Sequence, residues 1–222
     1  CRTMLRLRKI LQDLDVDAAV SFLTNTNVLA IFASRGQTWR LVISERNDPA
    51  RQKVRWPTRV LRKRWYREAD VVSANSNIHD GVSQTFLGVQ STTYLPNPVS
   101  LDISMAQRAE VPVISFVGRL VPQKNVDLLI RACQPLMMTG IVGRLDIVGD
   151  GSERESLIEL ANALGIGSRV EFHGFHENPW KLVSEAWCLV LPSAFEGTPN
   201  SALEALARGI PVICASGSPG PS

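Results

Sequence analysis

Short apolar runs alternate with stretches of helical spacing along nearly the whole chain, and this alternation restricts the fold more than any other feature. Asp17 to Leu23, Arg40 to Ser44, Asp70 to Ala74 and Thr92 to Leu95 read as strands. Leu5 to Leu14, Val28 to Ser34 (after a turn over Thr24 to Asn27) and Thr58 to Glu68 read as helices, and Asn75 to Asp80 as a helix start. A strand buried on both faces shows as a continuous apolar run, and parallel neighbours need a crossover between them. The alternation therefore predicts parallel βαβ units. Pro96-Asn97-Pro98 breaks the rhythm, and an irregular polar segment follows to about Arg108. A domain boundary is expected there, dividing the chain into 1–101 and 102–222.

Alternation then restarts. Val113 to Val117, Arg144 to Val148, Val170 to Phe172, Cys188 to Leu191 and Pro211 to Cys214 read as strands. Asn125 to Met138, Glu153 to Leu164, Pro179 to Trp187 and Ser201 to Arg208 read as helices. The expected fold class is α/β, with two doubly wound parallel-sheet domains in series.

No apolar run reaches the roughly 18 residues of a membrane span. Cys1, Cys133, Cys188 and Cys214 are widely spaced and form no C-x-x-C pair. That argues against a zinc site and a disulfide framework, and it fits buried thiols in a reducing cytosol. The chain opens on Cys1 rather than Met and stops in Ser-Gly-Ser-Pro-Gly-Pro-Ser, so it reads as an internal fragment of a longer protein.

The residues able to do chemistry follow strands of the second half. Gly118-Arg119-Leu120-Val121-Pro122-Gln123-Lys124 follows the first of them. Arg119 offers a fork of donors and Lys124 a point charge, which suits a diphosphate. Gly149-Asp150-Gly151 follows the second strand and His173-Gly174-Phe175-His176 the third. After the fourth, Glu196 and Glu204 bracket a run containing Gly197, Thr198, Pro199, Asn200 and Ser201, which leads into a helix. Open α/β sheets bind ligands at the carboxyl ends of their strands, and a helix start favours phosphate. Glycine backbone, two cations, two carboxylates and a helix N-terminus together are suited to a nucleotide-sugar diphosphate. With three His in the chain and no Cys partner nearby, no metal site is expected.

On these motifs, residues 113–214 resemble the donor-binding domain of the retaining family four glycosyltransferases. The motifs are Phe116-Val117-Gly118-Arg119 through Lys124, Val148-Gly149-Asp150-Gly151, Phe172-His173-Gly174-Phe175, and Leu191-Pro192-Ser193 through Ile213. Residues 4–100 resemble the acceptor-side domain, through Ser44-Glu45-Arg46-Asn47-Asp48-Pro49 and Leu95-Pro96-Asn97-Pro98. The resemblance implies a GT-B fold of two Rossmann-like domains, both incomplete here, since the family's opening strand and its tail after Ser222 are missing. It implies a sugar moved from a nucleotide-diphosphate donor, with UDP commonest, to a glycan or lipid-linked acceptor. Arg119 and Lys124 would hold the diphosphate, Glu196 the transferred sugar and Glu204 the ribose. Amides of Thr198 to Ser201 would meet sugar hydroxyls and phosphate, Gly149, Gly151, Phe175 and His176 would cradle the base, and Gly118 would also bind substrate. No cofactor or metal is implied, and retention is attributed to front-face attack. Many relatives carry a His after the strand matching Asp17 to Leu23. This chain has Ser21-Phe22-Leu23-Thr24-Asn25 there, leaving Thr24, Asn25 and Asn27 as candidates to line that side. Alternatives of other classes are a non-catalytic nucleotide-sugar-binding scaffold and a sugar-nucleotide epimerase.

The net charge of +3 is unevenly spread. Residues 1–100 hold 15 Lys and Arg against 8 Asp and Glu, and the remainder hold 9 against 13. The excess lies in Arg51 to Arg67, where Trp56, Trp65 and Tyr66 are interleaved with the bases. That pattern suits an anionic membrane surface, preferred here over nucleic acid, and a cytoplasmic protein peripheral to the membrane.

Overall fold

The computed structural model describes residues 2–76, 80–99 and 104–215. Two compact units meet between Asn97 and Pro98. The boundary expected at 101/102, Cys1, part of the helix start in Asn75 to Asp80 and the last seven residues lie outside the described residues.

In the first unit, α1 (Arg2–Asp13), β1 (Ala18–Phe22), α2 (Thr24–Ser34), β2 (Arg40–Glu45), α3 (Trp56–Trp65) and β3 (Val71–Ala74) alternate. A short α4 (Asp80–Val82) running into a π turn and a two-residue β4 (Thr93–Tyr94) follow. The strands form a sheet in the order β1-β2-β3-β4, every neighbouring pair parallel. Val28, Ile31, Leu41, Ile43, Val72 and Leu87 make its core. The turn expected over Thr24 to Asn27 is the first turn of α2 instead. At the other end of that helix Arg8 donates to the carbonyls of Phe32, Ala33 and Arg35 at 2.9–3.0 Å, satisfying its orphan acceptors and docking α1.

Charge also lies inside this unit. Glu45, 1% exposed, accepts from the hydroxyls of Thr24 and Tyr66, and Asn27 donates to Tyr66 Oη at 3.2 Å and to the Ser44 carbonyl at 3.0 Å. Thr24 and Asn27 are therefore spent inside the fold and line no cleft. Burial pushes the Glu45 carboxyl above its ordinary range, and its hydrogen bonds and Arg62 only partly offset this. Arg62, 1% exposed, faces inward and reaches Pro49 O and Gln52 Oε1 at 3.3 and 3.4 Å. Trp65 packs beneath Arg35 and beside Phe32, and Tyr66 is buried. So the basic segment presents Arg59, Lys63, Arg64 and Arg67 outward with Trp56 as its exposed aromatic, while Arg62 and Tyr66 belong to the interior and Trp65 is half-buried against it.

The second unit runs β5 (Val113–Val117), α5 (Val126–Met138), β6 (Arg144–Val148), α6 (Arg154–Ala163), β7 (Val170–Gly174), β8 (Cys188–Leu191), α7 (Asn200–Ala207) and β9 (Val212–Cys214). The sheet order is β7-β6-β5-β8-β9, all parallel. α5 shows why the sequence folds so: Val126, Leu129, Ile130, Cys133 and Met137 recur at helical spacing and are the residues it buries. Burial pushes the Cys133 thiol up to about 11 and also raises Cys188 and Cys214, which are half-buried. These are thiols, not thiolate nucleophiles, at neutral pH.

The helix expected over Pro179 to Trp187 is a single 3-10 turn, Pro179–Lys181. The segment must deliver Cys188 to the sheet, and the Trp187 amide already donates to Val113 O at 2.8 Å. Pairing with β5 draws the chain out before a second helical turn can close.

Candidate active site

β5 is the first strand of this sheet in sequence and lies at its centre, with β6 and β7 on one side and β8 and β9 on the other. The chain changes direction between β5 and β8, and the loops leaving such a point splay apart to open a crevice at the strands' carboxyl ends. The two loops meet there. Gln123 Nε2 donates to Phe195 O at 2.8 Å, the Ala194 amide to Gln123 O at 2.9 Å, and Asn125 Nδ2 to Pro192 O at 3.3 Å. Lys124 Nζ and Glu196 Oε1 form a short ion pair, with each side chain 12% exposed. Sequence reasoning placed Lys124 and Glu196 on one rim without seeing that they would hold each other.

The Arg119 side chain is exposed and forms no ion pair or hydrogen bond among the described residues. It lines a recess of about 340 Å³ together with Val117, Gly118, Val148, Gly149, Asp150, Phe175, His176 and Pro179. These residues come from the carboxyl ends of β5, β6 and β7. The 75% exposed Phe175 ring offers an apolar wall beside a guanidinium. Gly149, at φ +144°, is required by close approach: a Cβ there would lie 1.8 Å from Gly118 O. The Gly118 amide meets Val148 O at 3.0 Å and the Gly149 amide meets Gly174 O at 2.8 Å, so three loops are laced together along the floor.

On the β8 side, Gly197, Thr198 and Pro199 are buried and α7 starts without a side-chain cap. Glu204 lies one turn into α7, where Oε2 accepts from Trp180 Nε1 at 2.8 Å. Thr198 and Asn200 make contacts of their own, and Ser201 is half-buried in the first turn. The structure thus gathers Gly118, Arg119, Gly149, Phe175 and His176 around the recess. It brings Lys124 to Glu196, and puts Thr198 to Ser201 and Glu204 on the following turn and helix. Gly151 sits at the next bend, where its amide meets Asp150 Oδ1 at 2.7 Å.

Sequence reading missed two groups. One is Trp180 with Arg208, whose guanidinium lies 4.8 Å over the indole. The other lies on the sheet itself, where Asp146, Glu171 and His173 bring possible ligand atoms within 4.8 Å of one another. Arg144 Nε stands 2.9 Å from Asp146 Oδ1, the atom His173 Nε2 approaches at 3.2 Å, so a guanidinium already partners the buried carboxylate. The period-two placing of Glu171 and His173 on β7 was the available signal.

The family described as glycosyl transferases group 1 matches residues 104–222. The chain belongs to this family. It is 30% identical over 224 residues to the N-acetylgalactosamine-N,N'-diacetylbacillosaminyl-diphospho-undecaprenol 4-alpha-N-acetylgalactosaminyltransferase of Campylobacter jejuni, covering 95% of this chain and 60% of that protein. It is 34% identical to the lipopolysaccharide 1,6-galactosyltransferase of Salmonella typhimurium over 158 residues, 66% of this chain and 43% of that one. The chain therefore spans at most about 60% of these relatives. Among solved structures, the apo lipopolysaccharide outer core galactosyltransferase WaaB superposes with a TM-score of 0.72 at 25% identity, over 98% of this chain and 61% of that one. Anabaena Alr3699/HepE in complex with UDP-glucose gives 0.82 at 21% identity over 97% and 63%, a likeness of fold. The fold class expected from the sequence, Rossmann-like parallel α/β of GT-B type, agrees with these neighbours. No helix of the described residues is long and apolar enough to cross a membrane.

Proposed function

We propose that the protein bearing this chain is a retaining glycosyltransferase. It takes a sugar from a nucleotide-diphosphate donor, with UDP as the expected nucleotide, to a glycan or lipid-linked acceptor in polysaccharide assembly. The observation that carries this reading is the junction at the β5/β8 change of direction: an unpaired Arg119 opens on an apolar-walled recess, and the Lys124–Glu196 pair joins the flanking loops. The relatives named for lipid-linked and lipopolysaccharide acceptors, and a neighbour holding UDP-glucose, support the substrate classes.

In this reading the recess takes the base, Glu204 the ribose, and Arg119 the diphosphate. The acceptor hydroxyl bonds to the anomeric carbon as the bond from that carbon to the diphosphate oxygen breaks. The electron pair leaves with the diphosphate, which accepts the hydroxyl proton. Negative charge grows on the diphosphate in the transition state, where fixed donors stabilise it more than in the ground state. Arg119, Lys124 and the uncapped start of α7 supply those donors, in place of a metal or other cofactor. Glu196 holds Lys124 against the loop and meets the transferred sugar. The outward bases of α3 hold the protein to the anionic cytoplasmic face of a membrane, near lipid-linked acceptors.

The test is calorimetric titration of the full-length protein with UDP, GDP and ADP and their sugars, followed by a transfer assay with the preferred donor. Binding of one nucleoside diphosphate, lost by at least tenfold in Arg119→Ala, is expected. Absence of any nucleotide binding would sink the reading.

A further inference from the structure

Trp180 is 8% exposed, in the 3-10 turn that follows β7. It comes directly after Pro179, which lines the recess. Its position is held from three directions. Its amide donates to Asn178 Oδ1 at 3.3 Å, its indole N–H to Glu204 Oε2 at 2.8 Å, and the Arg208 guanidinium covers its ring at 4.8 Å. Arg208 in turn donates to the Glu204 carbonyl at 2.9 Å. Glu204, Trp180 and Arg208 form one cluster, with the indole N–H on a carboxylate and the indole face under a cation.

A glutamate on a helix has three free torsions, and holding one carboxylate oxygen removes most of that freedom. Oε2 is taken by the indole. Oε1 forms no hydrogen bond among the described residues. A carboxylate oxygen held in one place discriminates strongly between a ligand with a hydroxyl there and one without.

We propose that Trp180 is the positioning residue for Glu204 and so sets the preference for ribonucleotide over 2′-deoxyribonucleotide donors. This rests on the reading of Glu204 as the ribose ligand. Trp180 does not touch the reacting atoms; it acts by fixing the angle at which Oε1 is offered.

The test measures the affinities of UDP and 2′-deoxy-UDP for the full-length protein and for Trp180→Phe, which keeps an aromatic ring under Arg208 and removes the N–H. A hydrogen bond to a charged group corresponds to roughly 10- to 100-fold in affinity, so wild type should prefer UDP by about 30-fold. In Trp180→Phe the UDP affinity should fall about tenfold while 2′-deoxy-UDP affinity holds, collapsing the ratio to about threefold. A merely structural tryptophan would weaken both ligands alike and leave the ratio standing. Adding Trp180→Phe to Glu204→Ala should cost nothing further, because the acceptor of the indole N–H is already gone. Should the Phe variant not fold, Arg208→Met, which removes the cation from the indole face, should cut the ratio about threefold. Discrimination in wild type that survives in the folded variant overturns the proposal. A wild type that binds no nucleoside diphosphate overturns the proposed function itself, a separable outcome.

Discussion

Replacing Gly149 with alanine should cost this protein far more than a methyl group in a loop ordinarily does. The new Cβ would sit 1.8 Å from Gly118 O and 2.8 Å from Gly118 C, both backbone atoms without a rotamer to change. Relief to a tolerable contact requires the loops to part by about 1.2 Å. That stretches the 3.0 Å bond from the Gly118 amide to Val148 O beyond hydrogen-bonding range. Its loss costs about 1 kcal/mol, with more for a donor left buried. A side chain at φ +144° adds about 1–3 kcal/mol of backbone strain. The sum is about 3–5 kcal/mol, a large part of the ~5–15 kcal/mol that stabilises an ordinary domain. Gly165 supplies the control, because at φ +73° it has nothing within 4 Å of its imagined Cβ. Gly165→Ala should cost only the left-handed backbone, about 1–2 kcal/mol. Urea unfolding followed by tryptophan fluorescence reads both, and at a slope of about 2 kcal/mol/M the Gly149 variant's midpoint should drop by about 2 M. If Gly149→Ala is no more destabilising than Gly165→Ala, the loops do not approach as described, and the floor of the recess is wrong with them.

Other perturbations separate stability from binding. Lys124→Met should destabilise by about 3 kcal/mol in the same urea assay, since it strands a largely buried Glu196 carboxylate, and Lys124→Met/Glu196→Leu should recover most of that. Arg119→Ala, exposed and unpaired, should leave the urea midpoint unchanged while weakening UDP binding at least tenfold by calorimetry. Glu45 has a folded-state pKa raised above its unfolded value, so its ionisation opposes folding, and stability falls as pH rises through the folded pKa. The advantage of wild type over Glu45→Gln should accordingly shrink over that window in urea melts taken across pH, and a growing advantage would reverse the assignment. Exchanging Arg59, Lys63 and Arg64 for glutamine should weaken flotation with anionic vesicles about 100-fold, at about 1 kcal/mol per base, with neutral vesicles unaffected.

What the sequence carried on its face was periodicity and punctuation. Continuous apolar runs such as Val113 to Val117 and the helical spacing of Val126, Leu129, Ile130, Cys133 and Met137 are properties of neighbours in the chain. They were sufficient to read the class of fold and to place Arg119, Lys124, Glu196 and Glu204 after strands. Reading failed where a distant partner outweighed local preference. Residues 182–187 look helical, yet the Trp187 amide is claimed by Val113. Arg62 reads as one more surface base, yet it turns inward towards Glu45.

Pairings across long stretches of chain were decided by the tertiary structure alone. Lys124 meets Glu196 because β5 and β8, far apart in sequence, lie side by side, and Trp180 meets Glu204 because the segment leading from β7 to β8 runs against α7. A sequence states which groups are available, because that depends on covalent chemistry and short-range spacing. Which carboxylate keeps a free oxygen and which is already spent depends on three-dimensional distance, and that exists only once the sheet has closed.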